Sequence, residues 1–283
     1  MQNLQITGDT GIQLSGFNKM KNLKICVCIK QVPDTQKVKI DPVKGTMIRK
    51  GVPSIMNPYD ESALEMALEI KDMVGGEITT ISMGIPSVAN MLRYTIALGA
   101  DRTFLLTSPE FAGADTLATS YTLSLGIAET GPYDLILFGK QAIDGDTAQV
   151  GPEVASALNM PLVTYISNFF EIDNDGLKVE RFTDYSREIV KAKFPSVITV
   201  LKAKSRLRMP KLSQLIQSFD VEIPFLNAKR LKADINRCGL KGSPTRVKEI
   251  FSPKLDKKVI FIDGSINEKA EKFKDILKDL KII

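Results

Sequence analysis

The sequence predicts an α/β fold: a doubly wound parallel sheet with a small antiparallel extension and a C-terminal arm. Three observations carry this. From residue 23 to about 166, short apolar runs suited to buried strands alternate with amphipathic helical stretches. That alternation gives parallel strands joined by right-handed crossovers. After about Ser167 it gives way to strand, turn and strand, and beyond 200 apolar periodicity stays weak until 268–280. The expected organisation is an N-terminal extension over 1–22, an α/β domain over 23–200 with antiparallel additions at 167–193, and a final part over 201–283 that wraps another body.

The first strand is read over 23–29, apolar enough to be central. It runs into Lys30-Gln31-Val32-Pro33-Asp34-Thr35, a loop with a cation, an amide and an acid. Residues 38–40 and 46–48 flank Asp41-Pro42-Val43-Lys44-Gly45, a hairpin signal. Asn57 and Pro58 suit the cap and first position of a helix whose buried stripe is Ala63, Met66, Ala67, Ile70 and Val74. This is either a well-made helix start or, because free N–H groups face outward there, an anion site. Strands follow over 77–83, 102–106, 134–138 and 161–166, with helices over 86–98 and from about 116 to 129. Asp115 caps the latter, and the small residues around it would also admit a flat ligand. Residues 169–172, 177–182 and 187–193 read as antiparallel strands, and 195–200 as a last core strand.

Composition excludes several chemistries. The chain has 283 residues, a formal net charge of +5 and no histidine. Ser-His and Cys-His nucleophile pairs and His-ligated metals are therefore absent. The three cysteines are Cys26, Cys28 and Cys238. Cys26 and Cys28 share one face of a strand and read as small buried hydrophobes. An odd thiol count and no export signal point to a cytoplasmic protein. No apolar run nears the roughly 18 residues of a membrane span. The basic stretch Lys202, Lys204, Arg206, Arg208 and Lys211 lacks interleaved aromatic residues, so nucleic acid is not an expected partner.

The most informative stretch is Gly139 to Glu153, a polar corner between a buried strand and a helix. It offers Gly139 and Gly145 for close backbone approach and Asp144 and Asp146 as acceptors. Asp146 or Thr147 can cap the helix that follows. Gln141, Asp144, Asp146 and Gln149 exceed what a plain connection needs, and point to a bound ligand.

At these residues the chain resembles the β subunit of electron-transfer flavoproteins. The resemblance rests on 28–35, Met56-Asn57-Pro58-Tyr59-Asp60, Gly99-Ala100-Asp101 and 139–153, with Gly242-Ser243-Pro244-Thr245 beyond. It implies a Rossmann-like sheet with the first and fourth strands adjacent and an adenine nucleotide outside their carboxyl ends. Gly113 to Thr119 and the form Asp144-Gly145-Asp146-Thr147-Ala148-Gln149-Val150-Gly151-Pro152-Glu153 are similar to the bifurcating members. In these the β subunit holds FAD, reached by NADH as substrate; ordinary members hold AMP.

The resemblance also implies residue roles. Cys28, Asn57, Pro58, Tyr59, Asp60 and Met83 would line the adenosine and ribose. Gly139, Lys140, Gln141, Ala142, Ile143, Asp144, Gly145, Asp146, Thr147, Ala148, Gln149 and Val150 would wrap ribose and phosphates. Asp115, Thr116 and Thr119 would approach the flavin side, and Leu207 and Arg208 match the dehydrogenase-docking loop by position. The implied partners are an α subunit on which the C-terminal arm packs, an acyl-CoA or 2-hydroxy-acid dehydrogenase, and ferredoxin or flavodoxin. The subunit alone would be catalytically idle. The alternatives are an AMP-holding electron carrier and a stand-alone ATP-binding regulator. The latter would need a Gly-rich phosphate loop after a late strand, and the sequence shows none.

Overall fold

The computed structural model describes residues 22–34, 39–40, 47–48, 53–201, 206–246 and 259–282. Residues 1–21 of the N-terminal extension, Thr35, the turn over 41–45 and Lys202 and Lys204 lie outside the described residues. The chain divides into two units, and the described residues of the second are 259–282.

The first unit is built on a nine-stranded sheet. Its parallel strands are β1 (Lys24–Cys28), β6 (Glu77–Met83), β7 (Arg102–Leu106), β8 (Leu135–Gly139), β12 (Ser196–Val200) and β13 (Phe225–Leu226), joined by the start of β9 (Leu162–Ile172). The end of β9 pairs antiparallel with β10 (Gly176–Phe182), and β10 with β11 (Arg187–Lys193). The order is β11-β10-β9-β12-β8-β1-β6-β7-β13. Two small ribbons complete it: β2 (Gln31–Pro33) with β5 (Ser54–Met56), and β3 (Lys39–Ile40) with β4 (Met47–Ile48).

The side-chain period of two sorts β1 between two cores. Ile25 and Val27 face the core that holds α1 (Pro58–Val74) and α2 (Ala89–Leu98). Cys26 and Cys28 face the core beneath α3 (Thr116–Thr130) and α4 (Val150–Ala157). Of the predicted α1 stripe, Ala63, Met66, Ala67 and Ile70 are buried and Val74, at the helix end, is partly buried. From β1 the chain winds through β6 and β7 to one side, then returns to β8 on the other. The winding therefore reverses between β1 and β8, and their carboxyl ends flank the crevice where such sheets take ligands.

Three features depart from the sequence reading. Residues 161–166 and 169–172 form one strand, not two. β9 pairs in parallel with β12 as far as Ile166 and antiparallel with β10 from there on. Tyr165 makes the change of partner, at φ 60, with its N–H donated to Thr199 Oγ1 at 3.1 Å. Second, β13 and α5 (Leu212–Ser218) extend the first unit beyond residue 201, and Leu226, Ala228, Leu231 and Cys238 enter its core. Third, α4 begins at Val150 with no side-chain cap, so neither Asp146 nor Thr147 caps it. Asp146 and Ala148 are left-handed, at φ 52 and 53, which delays the helix.

In the second unit, α6 (Ile266–Asp279) has a capping box made by Ser265 and Glu268. Among the described residues no helix is long and apolar enough to cross a membrane, and no acidic or thiol cluster could hold a metal.

Ile70 has no exposed area. Ile70→Ala should lower unfolding free energy by about 2–5 kcal/mol, read from urea denaturation. A change under about 1 kcal/mol would contradict the assignment of α1 to the core.

Candidate functional site

The crevice is built from three backbone segments gathered by the first turn of α1. Asp60 Oδ2 accepts the Lys30 N–H at 2.8 Å, just past β1, and Asp60 Oδ1 accepts the Gly139 N–H at 3.1 Å, at the end of β8. Asn57 Nδ2 donates to the Gln141 carbonyl at 2.8 Å, and Asn57 Oδ1 accepts the Ile143 N–H at 3.2 Å. The Asn57 N–H donates to the Lys30 carbonyl at 2.9 Å. Gly139 is required here, because a Cβ would collide with Asp60 Oδ1 and the Tyr59 backbone. Asn57 stands at the cap position of α1 but makes no side-chain cap.

The loop after β8 closes on itself and on the loop after β1. Lys30 Nζ pairs with Asp144 at 2.7 Å. Gln141 Nε2 donates to Asp146 Oδ1 at 2.7 Å, and the Asp146 N–H to the Ala142 carbonyl at 2.8 Å. The left-handed Ala148 is a costly conformation for a residue with a Cβ, and such outliers gather at ligand sites. A Cβ at Gly145 would meet nothing within 4 Å, so this glycine borders open space rather than a close contact.

The α3 side of the crevice meets the same loop. Thr116 Oγ1 lies 3.1 Å from Gln149 Oε1 and 3.2 Å from Glu153 Oε1. Glu153 Oε2 is buried with no hydrogen-bond partner among the described residues. A buried acceptor without a donor is expensive, and it suits a ligand hydroxyl or N–H. Space beside Gly145 and the backbone amides fit a nucleotide with a ribose or ribityl chain. Lys30 is already paired, so phosphate would fall chiefly to backbone N–H groups.

The electron transfer flavoprotein domain family matches residues 44–222. This chain belongs to the electron-transfer flavoprotein β-subunit family. It is 46% identical over 248 residues to the electron transfer flavoprotein subunit beta of Clostridium acetobutylicum, covering 88% of this chain and 95% of that one. It is 43% identical over 263 residues to subunit CarD of the caffeyl-CoA reductase–Etf complex of Acetobacterium woodii, covering 92% and 100%. It is 42% identical over 238 residues to protein FixA of Azorhizobium caulinodans, covering 82% and 85%.

The residues expected from the sequence to contact a cofactor lie along one edge of the sheet. Cys28, Met83 and Gly139 end β1, β6 and β8, while Asn57 to Asp60 and Asp115 to Thr119 open α1 and α3. Their states differ. Cys28 is buried, and burial pushes its thiol up, so it offers an apolar surface rather than a thiolate. Asp115 caps α3 through the Ala118 N–H at 3.1 Å and accepts the Thr245 N–H and hydroxyl at 3.0 and 2.8 Å. Desolvation opposes its charge, but these bonds outweigh it and hold the carboxyl below its usual range.

Leu207 packs against the core beside α1 and α2. Arg208 reaches the buried Glu65 at 2.9 Å and Asp72 at 2.7 Å, and its N–H also donates to Glu65 at 2.8 Å. Both residues expected to dock a dehydrogenase are thus engaged by the fold. The exposed apolar groups nearby are Met209, Leu212, Ile216 and Phe219. Sequence reasoning did not assign Lys30, Glu153 or these four; a cation in the loop after the first strand was the visible signal for Lys30.

Burial raises the Asp60 carboxyl to about 7, against the N–H groups of Lys30 and Gly139, the Asn57 amide and the Lys30 charge. The folded state therefore keeps a proton that the unfolded chain loses near pH 4. This stabilising contribution is fully present below about pH 4 and is lost as pH rises to about 7. Asp60→Asn cannot titrate. Between pH 4 and 7 the wild type should lose up to about 4 kcal/mol relative to the variant, read from paired urea titrations. A constant difference would show that Asp60 is not buried as described.

Proposed function

We propose that this chain is the β subunit of a two-flavin electron-transfer complex and that its crevice holds FAD. The complex accepts a hydride from NADH and delivers the electrons one at a time along two routes. One leads through an α-subunit flavin to an acyl-CoA or 2-hydroxy-acid dehydrogenase. The other leads to ferredoxin or flavodoxin.

The observation that supports FAD most is the meeting of two segments at Thr116, Gln149 and Glu153. The segments 113–119 and 144–153 carry the likeness to bifurcating members, and here they touch around an unclaimed buried acceptor. A bound flavin supplies hydride acceptance and single-electron delivery, and the protein supplies binding and orientation. In this reading the backbone from Gly139 to Val150 wraps ribose and phosphates. A small movement of the Glu153 side chain lets its unpaired oxygen accept from the ligand chain, and Asp115, Thr116 and Thr119 border the flavin side. The absence of histidine fits chemistry carried by a cofactor.

The partners follow from family membership and exposed apolar surface. The Acetobacterium relative's name places that protein in a complex with a CoA-thioester reductase, which supports a dehydrogenase of this class. Met209, Leu212, Ile216 and Phe219 supply an apolar docking surface for it, in place of Leu207 and Arg208. Ile266 and Phe273 on α6 and Leu280 just past its end recur every seven residues and are exposed, as are Val259, Ile260 and Phe261 before it. This apolar stripe suits the α subunit.

The test is a cofactor count on the co-purified complex. Acid-released nucleotides should give two FAD and no AMP per αβ pair, and NADH should bleach the flavin absorbance. One FAD with one AMP and no response to NADH would make it an ordinary electron carrier.

A further inference from the structure

We infer that Asn57 and Asp60 are positioning residues, whose side chains set the shape of the 139–146 loop without touching the ligand, and that Asp60 does so as a carboxylate. This rests on reading the crevice as a nucleotide site.

The spacing is the first argument. Asn57 and Asp60 are three residues apart on the opening turn of α1, where side chains of these types ordinarily cap the helix. Here Asn57 makes no cap. Its amide instead spans the loop, donating to Gln141 and accepting from Ile143. Both polar atoms of that side chain are thus engaged by the backbone that would wrap the nucleotide. Asn57 is 1% exposed and Asp60 6%, so neither presents a surface to a ligand.

The chemistry of Asp60 is the second argument. Lys30 and Gly139 follow or end adjacent parallel strands, and each sends one N–H to a different oxygen of one carboxyl. An ionised carboxylate accepts both. A protonated one makes one of the two oxygens a hydroxyl, which is a much weaker acceptor than a carboxylate oxygen. The anchor of Gly139, at the root of the loop, or that of Lys30 would then be weakened.

The groups facing Asp60 define when this happens. They are Cys28 on β1, Lys30 beyond it with its partner Asp144, and the Asn57 amide before α1; β8 presents the Gly139 amide. Cys28 is neutral and Lys30 is shared with Asp144, so burial dominates and the Asp60 proton is held up to about pH 7. Nucleotide affinity should therefore weaken as pH falls through neutrality.

The experiment uses the co-purified complex freed of nucleotide, titrated with FAD and with AMP from pH 6 to 9. Intrinsic-rate-corrected amide exchange of residues 30 and 139–143 is followed in parallel. Wild-type affinity should fall roughly tenfold from pH 8 to pH 6, together with protection of these amides. Asp60→Asn should bind weakly with no pH step. Asn57→Asp keeps the acceptor for Ile143 but sets an oxygen against the Gln141 carbonyl. It should lose both affinity and protection while keeping the step.

A flat wild-type profile with unchanged protection would overturn the inference, whether or not the variants fold. Weakened binding with full loop protection in Asn57→Asp would mean direct ligand contact, and would also overturn it. A pH-dependent loss of protection in a protein that binds neither nucleotide would instead overturn the nucleotide reading and leave the loop anchor standing.

Discussion

The structure depends on one buried carboxyl group that joins two parallel strands at the point where the sheet reverses its winding. Parallel strands end with their polar groups side by side, and at β1 and β8 those ends are not capped by a tight turn. Asp60 gathers the two N–H groups, and Asn57 gathers the loop beyond. This arrangement requires Gly139 and places the first turn of α1 against the crevice. It leaves the loop open near Gly145. A buried carboxyl with an upward-pushed proton affinity costs stability once ionised. Such costs are kept where a site needs them.

Much of this was legible in the residues. Apolar runs marked β1, β6, β7, β8 and β12, and the Asn-Pro pair marked the start of α1. The adjacency of β1 and β8 needed the family resemblance, because strand order is not written in any local pattern. Local pattern also failed where pairing overrides propensity. The polar Ser167-Asn168 pair looks like a break, yet β9 runs through it because β12 and β10 each pair with part of its length. β13 has two residues and is placed only by its partner β7.

The site was legible in outline and not in role. Its residue types announce a ligand, but only distances separate those that stand open from those consumed by the fold. Asn57 and Asp60 look like ligand contacts and are tied to backbone. Asp115 is committed to α3 and Thr245, whereas Glu153 keeps an unpaired oxygen. The same holds of the basic stretch, where Arg208 serves Glu65 and the residues around it carry the exposed apolar groups. Charge and spacing alone could not tell an internal ion pair from a docking contact.

The most direct test of the central claim is photolabelling of the co-purified complex with an 8-azido analogue of FAD, followed by peptide mapping. The account predicts label on peptides containing 28–30, 57–60 or 139–150 of this chain, abolished by excess FAD. Competed label elsewhere, on the antiparallel strands β10 and β11 or solely on the partner subunit, would contradict a nucleotide site between β1 and β8.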